Sequence, residues 1–262
     1  VVSLGASIFI PSATRAASPI FVNAAAPAGG DGSSWATALN NLQDGITLAV
    51  SGEEVWVAAG TYHPSYVVRA GEPRTAAIIL KDGVAVYGGF AGDENSLSER
   101  EWETNVTVID GLITPEAPES PYHVYHVVRF GGGSSPDTRL DGFTVTGGLA
   151  NGDPGMADYG GAGIFITYTN MTLANLLVVD NHALGLGGGL NASYSPLRVE
   201  AVRFVNNSAR EGGGQYSHNN VGIVMTDVVY QGNHASEQGG GLAEYVSTSV
   251  LDRLTFLNNS AI

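Results

Sequence analysis

The stretch LANGDPGMADYG, residues 149–160, is where oxygen donors gather most densely. Asn151, Asp153 and Asp158 fall within it, and calcium takes carboxylate and amide oxygens of this kind. We therefore take these three as the candidate ligand-binding residues, with Asp153 and Asp158 as weak calcium candidates. Catalysis asks for more. Glycoside hydrolysis needs two close carboxylates; lyase chemistry needs a basic residue beside a carboxylate cluster that usually holds calcium. Acids elsewhere in the chain are interrupted, as in the series Asp141, Ala174, Glu200, Thr226, Asp252. Asp227 and Arg253 read as a cross-strand ion pair of small value. His182 and His234 are separated by Ser208, and His123 and His126 are expected on opposite faces of a strand. No catalytic residue is assigned. Enzyme activity stays open, with the balance against it.

The elements that would position this loop are repeats. Asn181, Asn207, Asn233 and Asn259 recur every 26 residues, followed in the first three cases by GGG at 187–189, 212–214 and 239–241. Segments starting at Leu173, Val199, Met225 and Leu251 superpose: a second apolar residue follows at Leu176, Val202, Val228 and Leu254, and a third at Val178, Phe204, Tyr230 and Phe256. A unit this short cannot bury its apolar face alone, so neighbours must stack. Stacking turns equivalent positions into columns. The Asn column is expected to form an inward turn ladder in left-handed backbone, and the Gly column to let the chain re-enter the next strand. Against this period, Gly148 stands at the Asn position and the step to Gly161 holds seven extra residues. The 149–160 stretch is therefore a loop projecting from one coil, where binding functions commonly sit.

Upstream, Leu39, Leu42, Ile46 and Ala49 have helical spacing, ended by Gly52. One helix over residues 40–50 is expected to cap the N-terminal end of coils running from about residue 51 to 262. Short strands are expected at 84–90, 106–111, 124–130 and 140–148. Residues 1–17 read as a secretory signal lacking its front, or else as a first strand; residues 18–262 are then the folded domain. The last turn, NNSAI, lacks a cap, so the chain is expected to be incomplete at its C-terminus.

Composition narrows the partners. The net charge is −14, with a single lysine among 11 basic residues, which argues against nucleic acid and anionic membrane surfaces. No apolar run is long enough to span a bilayer. The absence of cysteine excludes disulfides and thiolate metal sites.

The pairing of FVNN and FLNN with GGGL resembles the GGA[ILV] and FxxN repeats of polymorphic outer-membrane proteins and related bacterial β-helix surface proteins. Val178 and Tyr230 stand where that pattern has Phe. IFVNAAAPAGGDGSSWATALNNLQDGI and GEEVWVAAGTY also resemble the opening of secreted pectate-lyase-like proteins. These resemblances imply an all-β, right-handed single-stranded parallel β-helix with a short N-terminal capping helix, located in bacterial secretion or on the cell surface. The expected role is a non-catalytic adhesin, stalk or carbohydrate-binding scaffold that meets an extracellular glycan or surface protein, as a monomer or as part of a longer chain. The alternative is a polysaccharide lyase or glycoside hydrolase on the same fold. No cofactor is expected beyond calcium.

Overall fold

The computed structural model describes residues 18–115 and 120–262; the expected signal in residues 1–17 lies outside them. Four sheets run along one solenoid. The first has eight strands, from Ile20–Val22 to Thr248–Asp252. The second has seven, from Tyr66–Val67 to Leu242–Tyr245, and the third seven, from Gly60–Tyr62 to Thr255–Leu257. The fourth has five short strands, from Leu149–Ala150 to Ser260–Ala261. One coil passes through Met171–Ala174, Leu177–Val179, His182–Ala183 and Leu190–Ser193, then Leu197–Glu200 pairs in parallel with Met171–Ala174. The chain is a parallel β-helix.

Register explains the repeated apolar residues. Leu173, Val199, Met225 and Leu251 pair in succession, as do Val178, Phe204, Tyr230 and Phe256. The last three rings stack at 5.2 and 4.9 Å. Tyr230 replaces Phe because its hydroxyl has a partner in the core: it donates to Gln215 Oε1 at 2.7 Å, and Gln215 stands where the adjacent coils carry Leu190 and Leu242. Buried polar groups persist when paired in this way. Burial pushes the Tyr230 phenol well above its ordinary pKa, so it remains a donor.

The four ladder asparagines divide the work of the turn with the residue before each. Left-handed backbone falls on Asp180, Asn206, Gly232 and Asn258, with φ of 54°, 53°, 64° and 53°, and not on the ladder residues as the sequence reading expected. Asn and Gly tolerate that region at least cost, so in VNN and LNN the first Asn turns the chain and the second faces inward. Each ladder amide donates to the oxygen of the next: Asn181 to Asn207 at 3.0 Å, Asn207 to Asn233 at 3.1 Å and Asn233 to Asn259 at 2.9 Å. The same oxygens accept the backbone N–H of Asn181, Asn207 and Asn233. A second inward polar column has no such sequence signature: Asn220 Oδ1 accepts from Ser195 N–H at 2.6 Å, and Ser195 Oγ from Thr169 N–H at 3.2 Å.

The helix is shorter than expected, Leu42–Leu48, with Asn41 Oδ1 accepting from the Gln43 and Asp44 N–H groups at its start. Leu42 and Ile46 close the core over Ile20, Val22 and Val55. The coils begin before it, because Ile20–Val22 pairs with Glu54–Ala58; three residues are too few to show a period. The expected strand over 140–148 is two strands, Arg139–Asp141 and Phe143–Thr146, bent at Gly142 with φ 81°.

Candidate functional site

The outer face of the second sheet carries two features that packing alone does not require. On the pleated strands, Arg129, Phe165, Asn191 and Tyr216 form one outward column, and Gly131, Thr167, Ser193, His218 and Tyr245 form the next. Tyr168 and Tyr194 follow at the corner in left-handed backbone, φ 53° and 52°. Their rings stack at 4.7 Å, 4° from parallel. His218 meets Tyr194 edge-on at 5.9 Å and stacks on Tyr245 at 5.4 Å. Asn219 Nδ2 donates to the Tyr194 hydroxyl at 2.9 Å, fixing that ring's tip. Tyr168 is 62% exposed, Tyr194 45% and Tyr245 61%. This strip stands in solvent, unlike the buried Phe204 and Tyr230 stack inside the coil.

At the N-terminal end of the same face, two excursions from the solenoid meet. The strand Tyr66–Val67 folds back antiparallel onto Ala76–Ile79, and the segment after it brings Arg69 to Asp158 of the inserted loop, 89 residues later. Arg69 also holds Glu72 at 2.7 Å. Under the contact lies His126, buried, with Nδ1 2.9 Å from the Gly161 carbonyl oxygen and Nε2 3.7 Å from Asp158 Oδ1. That separation is too long for a hydrogen bond, and Nε2 has no partner. The Arg69 guanidinium paired with it holds the Asp158 carboxyl well below its ordinary pKa, against burial. Burial pushes the His126 pKa down, more than the nearby carboxylate raises it.

A histidine that folds neutral must take up a proton to unfold in acid. Its contribution is therefore present above its unfolded pKa of about 6.5 and is lost as pH falls through the lower folded value. The urea midpoint should drop from about pH 7.5 to about pH 5, and His126→Gln should show a smaller drop. An equal drop in the variant would place the acid sensitivity elsewhere.

Beside this cluster lies a 270 Å³ groove lined by Tyr66, Val68, Ile79, Arg129, Phe165 and Thr167. Arg129 is half-buried, with its guanidinium carbon 5.5 Å from the Phe165 ring centroid. Among the described residues it makes no ion pair and no side-chain hydrogen bond, and burial lowers its pKa. The arginines around it are differently placed. Arg74 donates to the carbonyls of His123 and Leu149 and to Asn151 Oδ1.

The structure thus assigns the three loop residues to separate tasks. Asn151 is engaged by Arg74 and Asp158 by Arg69, while Asp153 accepts through its carbonyl from Met156 N–H in the loop's own turn. A cation at Asp158 would have to displace a guanidinium. Among the described residues no three His, Asp or Glu side chains are arranged to hold a metal ion. The expectation for His126 is corrected: the strand begins only at Val128, so His126 precedes it and packs under the loop. On the first sheet, Asp141 is 1% exposed and pairs with Arg100 at 2.6 Å and Arg139 at 2.7 Å, while Asn175 donates to it at 2.8 Å. This acid with basic partners escaped the sequence reading because Arg100 lies on a loop 41 residues away. Both guanidinium groups are spent on one carboxylate, which makes the cluster a clasp for the 91–105 loop.

No family model matches this chain, and no curated protein matches it. Among solved structures, one described as "Crystal structure of pectate lyase Pel9A" aligns with a TM-score of 0.48 and 14% identity, over 84% of this chain and 50% of that chain. This chain therefore spans half the length of that structure. The likeness concerns the course of the coils and says nothing of activity.

Proposed function

We propose that this protein is a non-catalytic, secreted or cell-surface β-helix that binds extracellular glycan on the outer face of its second sheet. The observation that carries the reading is the exposed strip of Tyr168, Tyr194, His218 and Tyr245. Sugar rings present an apolar C–H face between hydroxyl edges, and a flat aromatic ring covers that face while its polar tip stays wet. Tyrosines also give large contact areas with few rotors to immobilise. Coils ~4.8 Å apart repeat the platform along the solenoid axis, which favours an extended chain over a compact ligand. The FVNN, FLNN and GGGL segments, which resemble the FxxN and GGA[ILV] repeats of bacterial surface β-helix proteins, and the short apolar stretch near the N-terminus support placing it at the surface of a bacterial cell. Asp141 and Asp158 are both held by arginines, so neither carboxylate is free to act as a general acid or base.

Affinity gel electrophoresis against a panel of neutral polysaccharides tests the reading. Retardation by at least one of them is expected, weakened about tenfold in the Tyr168→Ala, Tyr194→Ala double variant at unchanged thermal midpoint; two lost stacking contacts of about 0.5–1.5 kcal/mol each set that scale. Undiminished retardation of the double variant would move the glycan off this face.

A further inference from the structure

Arg129 is the one feature of this face that the aromatic strip leaves unexplained. A guanidinium is an obligate multiple donor, and the N–H groups of Arg129 have no protein partner yet stay open to the groove, where an anion can engage them. Among the described residues, Arg69, Arg74, Arg100, Arg139, Arg198, Arg210 and Arg253 all have carboxylate, amide or carbonyl partners. Arg203 is exposed to solvent. Arg129 alone is half-buried and free, and it lines a groove. Asp158, the acid whose field reaches it, is committed to Arg69. The groove's walls are aromatic and aliphatic, from Tyr66, Val68, Ile79 and Phe165, and its floor continues through Thr167 into Tyr168, the first ring of the strip. An occupant of this groove is therefore continuous with a chain lying over Tyr168 and Tyr194.

We propose that the Arg129 groove is a subsite for one anionic sugar, bearing a carboxylate or a sulfate ester, at the end of an otherwise neutral glycan held by the tyrosine strip. The inference rests on the glycan reading above and specifies its ligand. Two observations set the count of charges at one. Only one free guanidinium faces the groove, and the protein's net charge of −14 repels a ligand charged along its length. Arg suits the role because its planar fork grips two oxygens of a carboxylate or sulfate at once.

The test is a printed array of neutral glycans beside the same glycans ended by sialic acid, by glucuronic acid or by a sulfate ester, probed with wild type and Arg129→Gln. Wild type is expected to bind acid-ended members about tenfold more tightly than their neutral parents, the scale of one charge-assisted hydrogen-bond pair. Arg129→Gln should lose that preference and bind the neutral parents as wild type does, which also reports that the variant is folded. The sialic and glucuronic arms against the sulfate arm identify which anion is preferred. Equal binding of acid-ended and neutral glycans by wild type overturns the subsite and leaves the tyrosine platform standing. Binding to no glycan at all overturns both.

Discussion

Replacing Asn207 with Leu is expected to be among the most costly single changes in this protein. Asn207 Oδ1 accepts from both Asn181 N–H and Asn181 Nδ2, while its own amide donates to Val178 O at 2.8 Å and to Asn233 Oδ1 at 3.1 Å. Asn181 Nδ2 has other acceptors, Asn233 Oδ1 has another donor and Val178 C=O lies in the parallel ladder with the next coil, so the buried Asn181 N–H is the group left orphaned. The expected loss is about 1–3 kcal/mol. Asn259→Leu removes the same kind of contacts, from Asn233 and to Tyr230 O. Asn259 is only half-buried, so water replaces the lost partners and the cost should be smaller. Ser208→Ala, in the same turn, should stay within about 0.5 kcal/mol. Urea midpoints of the three variants give the ordering. Asn207→Leu as stable as Asn259→Leu would mean that the amide column does not stabilise the coils.

Gly213→Ala should be comparably damaging for a steric reason. A Cβ there would lie 2.3 Å from His234 O and 2.5 Å from Gly240 O, both backbone atoms of the next coil. No rotamer change relieves a clash with main chain, so the coils must separate where Gly213 N–H donates to Gly239 O at 3.0 Å. The expected loss is at or beyond the upper end of the ~1–3 kcal/mol typical of overpacking. Hydrogen exchange should show lost protection confined to residues near 212–214 and 239–241. A variant with wild-type stability would show that the coils are loosely stacked at this corner.

The columns were legible in the sequence because parallel stacking converts a sequence period into a spatial line. Leu173, Val199, Met225 and Leu251 could be superposed by eye for that reason. The φ assignment within NN was not legible, since both residue types tolerate either role; only the backbone distinguishes Asn206, which turns, from Asn207, which points inward. The candidate site divided in the same way. The loop at 149–160 stood out as a break in period, and Asp158 was named. Its partners Arg69 and His126 come from segments 89 and 32 residues earlier, joined to it by excursions that follow no repeat. The tyrosine strip was hidden by register. Tyr168 and Tyr194 share a column, but the rings beyond them, His218 and Tyr245, belong to the neighbouring column, and the strip crosses between the two through the diagonal, edge-on contact of Tyr194 with His218.

The central claim is that the outer face of the second sheet binds glycan without cutting it. Its most direct measurement follows one sample of purified protein with the polysaccharide that retards it most, recording binding and product formation together, with and without added calcium. The account predicts saturable binding and no new reducing or unsaturated ends in either condition. New ends formed by wild type and abolished by Asp158→Ala would contradict it, and would make the Arg69, Asp158 and His126 cluster a catalytic centre.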